Sequence, residues 1–337
     1  VSALTLAAPA PPSSASPPRQ LRWLLRLHRP ALYAWTGLVV VLGALLLWLG
    51  GPLTDASEAA WKQYNACGMA ACTYDQDAIL LYKDVARYTG SAVLVLPFLV
   101  AAWAGASLTG RELETGTAQL AWTQGVSPTR WLAAKLTLPA ALVTAGTSLL
   151  ALLHHLAWSA GQGRVDNTEP WYSVETLYAG GPVLVALALA GLASGALLGL
   201  LLRRSLAALI GSALVTGVLW IGSFLVLPHL WPAVTRVSSL RDGPSGSGIT
   251  VAEGLLTADG DRLAIPRYCG SSIDPACGTL FDRLGAVSFY RDYHPRSHSW
   301  PLLLVATGIL LAVAVLLTVV AFRVLRHRTA DRKGAAV

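Results

Sequence analysis

The sequence predicts an all-α, polytopic membrane protein with six transmembrane helices. Three observations carry this: composition, the length of the apolar runs, and the placement of basic residues. Of the 337 residues, 54% are hydrophobic and only 13% charged, with a mean hydropathy of +0.54, whereas soluble domains carry roughly 25% charge. Apolar runs near 31–50, 88–108, 132–158, 177–202, 205–231 and 300–322 are each long enough for the roughly 17–25 residues that cross a hydrocarbon core. Six such helices buried in a water-soluble core would need far more polar sequence to cover them.

Orientation follows from Lys and Arg. With the N-terminus inside, Arg19, Arg22, Arg26, Arg29, Arg111, Arg130, Lys135, Arg203, Arg204, Arg323, Arg326, Arg328, Arg332 and Lys333 are cytoplasmic, 14 of the 25 basic residues. Seven of the other 11 lie in the long segment 232–299, which counts little in the positive-inside rule, so short loops compare as 14 against 4. Both termini are expected to be cytoplasmic, in a cell (plasma) membrane. The net charge of +7 reads as anchoring beside anionic membrane lipids, not as nucleic-acid binding.

In chain order, residues 1–18, rich in Ala, Pro and Ser, read as a disordered cytoplasmic tail without the basic start and apolar core of a signal peptide. Residues 19–30 carry four arginines on one helical face, as an interfacial amphipathic helix would, and 31–323 form the six-span domain. Its long external segment 232–299 is expected to be a loop domain or cap, and 324–337 a basic cytoplasmic tail. Cys67, Cys72, Cys269 and Cys277 then all lie outside, in an oxidising compartment, where local Cys67–Cys72 and Cys269–Cys277 disulfides are expected; spacing leaves cross-pairing open. Neither pair has the close spacing of a zinc site.

Within the spans, Gly191, Gly195 and Gly199 recur every four residues, allowing a neighbouring helix to approach closely. Ser205, Ser212, Thr216 and Ser223 share one face of the fifth span, which reads as packing or as a partly polar cavity wall. His154 and His155, being sequence neighbours, point about 100° apart and are expected at the interface. Phosphate-loop, nucleophile-elbow and zinc-protease motifs are missing, so nothing in the chain is fitted to hydrolyse ATP.

The most distinctive stretch is the cytoplasmic loop 109–131. Thr109 and Glu112 have capping-box spacing, Gly116 is a helix stop, Thr117 can cap a short helix ending near Gly125, and Ser127-Pro128 begins the next span. The run Gly110-Arg111-Glu112-Leu113-Glu114-Thr115-Gly116-Thr117, followed by Leu120-Ala121-Trp122-Thr123-Gln124, Arg130-Trp131-Leu132-Ala133 and Lys135, resembles permease subunits of ABC-2-type exporters, in particular an actinobacterial six-span branch. Gly195-Ala196-Leu197 and Leu202-Arg203-Arg204-Ser205-Leu206 extend the resemblance; Ala118-Gln119 departs from it.

The resemblance implies a permease that binds no cofactor itself and works with a dimer of separate ATP-binding-cassette ATPase subunits, which carry ATP and magnesium, and with a second permease copy or homologue. It implies a coupling helix whose ATPase-facing residues are Arg111, Glu112, Glu114, Gly116, Thr117, Trp122, Gln124 and Arg130. It also implies a substrate pathway along the second and fifth spans, on the faces of Phe98, Trp103, Ser212, Thr216 and Trp220. Two other classes stay open at this point: a membrane-embedded enzyme, for which the sequence offers scattered histidines, and a non-transporting scaffold or sensor.

Overall fold

The computed structural model describes residues 29–67, 73–124 and 126–334, the last five as backbone only. The expected N-terminal tail and interfacial helix, Cys72 and Gly125 lie outside the described residues, apart from Arg29 and Pro30, which open the first helix. Residues up to Val41 group as a unit of their own.

The described chain has six helices long and apolar enough to span a bilayer. Helix α1 (Arg29–Trp48) passes through a π-helical turn at Leu49–Leu53, where Pro52 has no N–H to give, and continues as α2 (Thr54–Ala66). Helix α3 (Gln76–Trp103) likewise runs through a π-turn at Ala104–Gly110 into the short α4 (Arg111–Glu114). A second short helix, α5 (Thr117–Thr123), precedes α6 (Pro128–Gly161). The fourth apolar run is broken at Gly180–Pro182 into α7 (Val174–Ala179) and α8 (Val183–Leu202); α9 (Ser205–Val226) is the fifth span. Helices one and two thus extend past their apolar runs into polar sequence, because backbone groups leaving the membrane are most simply satisfied by continuing the helix.

Helix α8 is the axis of packing. Its apolar window is 83% buried, against 11–50% for the other five, and it touches α3, α6, α9 and the terminal helix. The glycines make this close approach possible. A Cβ at Gly191 would lie 2.8 Å from Pro97 O, one at Gly195 2.6 Å from Ala101 O, and one at Gly199 2.8 Å from Gly110 N. Backbone-to-backbone contact of this kind maximises dispersion between helices that gain no hydrophobic energy from leaving lipid.

The segment after α9 contains a sheet, which the apolar-run reading did not provide. Strands β1 (Val234–Ser238), β2 (Ile249–Thr257), β3 (Arg262–Leu263) and β4 (Ala286–His294) form an antiparallel sheet in the order β1-β4-β2-β3. Helix α10 (Pro275–Arg283) covers it. Its core joins Leu255, Phe281 and Phe289 to the Cys269–Cys277 disulfide, and the two phenylalanine rings meet edge to face at 5.5 Å. Cys67 is also disulfide-bonded; its expected partner Cys72 is outside the described residues. Helix α11 (Ser299–Gly334) closes the chain and continues through most of the expected basic tail.

The glycine contacts give a sharp contrast. Gly195→Val drives two methyl groups into the α3 backbone and should lower stability by about 1–3 kcal/mol or more. Gly222→Val, on α9 with nothing within 4 Å of its Cβ position, should be nearly silent. Thermal unfolding of the detergent-solubilised protein, followed by the loss of its monodisperse elution peak, checks both.

Candidate functional site

The site is built where the second span ends. The π-turn at Ala104–Gly110 brings Thr109 fully inside, where its Oγ1 donates to Ala196 O of α8 at 3.1 Å. Thr109 therefore does not form the capping box expected with Glu112: its hydroxyl is committed to a neighbouring helix, and the backbone around it is already helical. Gly116 does adopt the left-handed conformation, φ 76°, that suits glycine at a helix end. Thr117 opens α5 without capping it; its hydroxyl reaches back to Glu112 O at 3.3 Å and lies 3.1 Å from the Thr115 hydroxyl. Ser127 caps α6 as expected, its Oγ accepting from Arg130 N, with Pro128 in the first turn.

The two loop carboxylates are both used inside the chain. Lys135 Nζ donates to Glu112 Oε1 at 2.6 Å and Trp131 Nε1 donates to Glu112 Oε2 at 3.2 Å. The Lys135 side chain is only 4% exposed and that of Glu112 23%, so water does little to screen the pair. The Lys135 ammonium also lies 5.3 Å from the centre of the Trp131 ring, and Trp122 of α5 packs edge-on against that ring at 5.7 Å. Glu112 is thus tied to α6: Lys135, one turn inside the third span, is its partner within the chain.

Glu114 is tied to α9. Its Oε2 accepts from Ser205 N at 2.9 Å and from Ser205 Oγ at 2.6 Å. Helix α9 has no cap of its own from Arg204, so Glu114 supplies one across 91 residues, placing negative charge at the positive end of the helix. The preceding turn is held from the other side: Arg203 takes a left-handed conformation, φ 51°, and Arg328 of α11 donates to Leu200 O at the end of α8. The loop is therefore clamped to α6, α8 and α9 at once.

What this leaves outside is one face of α5. Ala118 is buried, while Thr117, Gln119, Thr123, Gln124 and the flanking Arg111 and Arg130 are exposed, and Leu120 is 60% exposed. Sequence reasoning named Thr109, Trp131, Lys135 and Ser205 but not the contacts by which they hold the loop. Lys135 did carry a signal. A lysine inside an apolar span implies a buried partner, and Glu112 and Glu114 were the only acidic residues in the loop beside it.

The expected pathway residues divide. Ser212 and Thr216 are fully buried; Ser212 Oγ donates to Ala101 O at 2.8 Å and Thr216 Oγ1 to Ser212 O at 2.9 Å. Satisfied hydroxyls at a helix contact serve packing between the second and fifth spans. Phe98 and Trp220 are half-buried and meet edge to face at 6.4 Å, with Tyr178 on the other side of Trp220. Trp103 is half-buried, five residues further along α3.

A family model described as ABC-2 membrane transporter related matches residues 36–228, more than half of the chain and the whole of the clamp from α3 to α9. The chain belongs to this family. No curated protein and no solved structure matches it. Membership and the six apolar helices together make it a multi-pass membrane permease.

The clamp can be tested by a double-mutant cycle. Glu112→Ala should leave Lys135 buried and unpaired, at a cost of about 3–5 kcal/mol. In Glu112→Ala/Lys135→Met most of that loss should return, because an apolar side chain of similar length replaces the stranded cation. Denaturation midpoints of the four proteins give the coupling energy, and additive losses would contradict a direct pair.

Proposed function

We propose that this family member is the transmembrane subunit of an ATP-binding-cassette exporter, with α5 as the element on which a separate ATPase dimer acts. The observation that supports it is the clamp: α5, a short helix with an exposed polar face and one exposed leucine, follows directly on α4, whose Glu112 and Glu114 are fastened by charge-assisted hydrogen bonds to two membrane spans. Members of this family associate in general with ATP-binding-cassette ATPases. Exposed residues of α5 and its flanks, Thr117, Gln124, Arg111 and Arg130, would form the contact. Glu112 and Glu114 would carry displacement inward, to α6 and α9. ATP and magnesium would reside on the partner.

In this reading, closure of the ATPases favours one of two arrangements of the helices, and the bias is only as large as the difference in contact energy between them. The long exposed apolar face of α9, with Leu206, Ile210, Leu214 and Val218, would meet a second permease. Phe98, Trp103 and Trp220 would border the path of an amphipathic drug-, lipid- or peptide-like substrate leaving the cytoplasm across the plasma membrane. Both chain ends would lie on the cytoplasmic side.

A photo-crosslinking residue at Leu120 should give an adduct with an ATP-binding-cassette ATPase, identified by peptide mass, whereas one at the exposed Asp259 in the β2–β3 turn should not. Single cysteines at Gln124 and Asp259 in a cysteine-free background should label from opposite faces of the membrane. Labelling of both from one face would contradict the topology, and the absence of an ATPase adduct at Leu120 would contradict the coupling role.

A further inference from the structure

At the end of the helices away from α5 lies a polar cavity that the transport reading does not use. It is a small cavity of about 90 Å³ between α3, α6, α7 and the residues before α7, room for a headgroup-sized ligand and not for a drug-sized one. From Arg87 to Glu112 the second span rises roughly 40 Å at helical pitch, so the cavity and the clamp are at opposite membrane faces.

Its lining is charged in a particular way. Lys83 and Arg87, one turn apart on α3, are both exposed; Glu175 on α7 and Glu169 before it supply carboxylates; His154 and Trp158 of α6 complete the wall. His154 is 7% exposed and its Nδ1 has no hydrogen-bond partner within the protein, so the cavity wall offers a buried polar group that a ligand or water can satisfy. Two glycines let the backbone pack closely on the imidazole: a Cβ on Gly90 would lie 3.4 Å from both His154 Nε2 and Glu175 Cβ, and one on Gly180 3.1 Å from His154 Nδ1. Two cations and two anions balance, so the lining suits a ligand that carries both signs. The Trp171–Tyr172 ring pair beside α7 belongs to the aromatic population found at the headgroup level of a bilayer.

We infer that this cavity binds a phosphate bearing a primary ammonium, the headgroup chemistry of an ethanolamine phospholipid, with Lys83 and Arg87 on the phosphate and Glu175 on the ammonium. A guanidinium and an ammonium one turn apart suit a phosphate, and the Glu175 carboxylate, close over Gly90, suits a small, unmethylated amine. The inference concerns lipid recognition and stands independently of the transport reading.

The test uses the full-length protein in nanodiscs with equal amounts of phosphatidylethanolamine, phosphatidylcholine, phosphatidylglycerol and phosphatidic acid, with retained lipid read by native mass spectrometry. Phosphatidylethanolamine should be enriched, and Lys83→Gln/Arg87→Gln, which removes both charge-assisted contacts to the phosphate, should reduce its retention by about tenfold or more. Glu175→Gln should keep phosphate binding and erase the preference for phosphatidylethanolamine over phosphatidic acid. Competition by soluble O-phosphoethanolamine would show that the headgroup alone suffices; its failure, with the lipid still enriched, would place the ligand in the bilayer. Unselective retention in the wild type, variants with unchanged lipid ratios, or equal displacement by glycylglycine would overturn the assignment.

Discussion

Backbone contact between α8 and the second span sets the position of nearly everything the loop does. With glycine at 191, 195 and 199, the two helices meet at main-chain distance over about two turns, and α3 follows that surface into the π-turn at Ala104–Gly110. The turn puts Thr109 onto the α8 carbonyl at Ala196 and rotates the next residues so that Glu112 faces α6 while Glu114 faces α9. A side chain on any of these glycines would separate the helices, and both carboxylates would lose their partners together. A π-turn beside a working element is a common use of that geometry.

Glu112 and Glu114 tie the loop to the membrane helices in different ways. The Glu112–Lys135 pair is half-desolvated and hydrogen-bonded on both oxygens, so breaking either partner is costly even if the intact pair adds little net stability. Glu114 is exposed and acts as a cap; its contribution is modest and can be exchanged for water. A rigid tie to α6 and a weaker one to α9 would let α5 move one span while releasing the other, which is what a bistable bundle needs from a joint.

What the sequence made legible was local. The six spans follow from apolar length, the glycine contact from a four-residue repeat, and the bounds of α5 and α6 from Gly116 and Ser127-Pro128, each a short-range signal of backbone geometry. The clamp was not legible as such because its partners are 23 and 91 residues apart, and because Thr109 offers the same residue types for a local cap as for a contact with α8. The sheet was hidden for another reason: β2 has a register shift between Thr250 and Ala252 and an irregular burial pattern, so it never shows the clean alternation that marks a half-buried strand.

The central claim is that α4 and α5 form a rigid arm of the membrane bundle before any ATPase arrives. Amide hydrogen exchange across residues 111–123 of the isolated protein tests it most directly. The account predicts protection of this stretch close to that of the first turns of α6, lost when Glu112 is replaced by alanine. Exchange at the rate of an unstructured loop in the unaltered protein would contradict it.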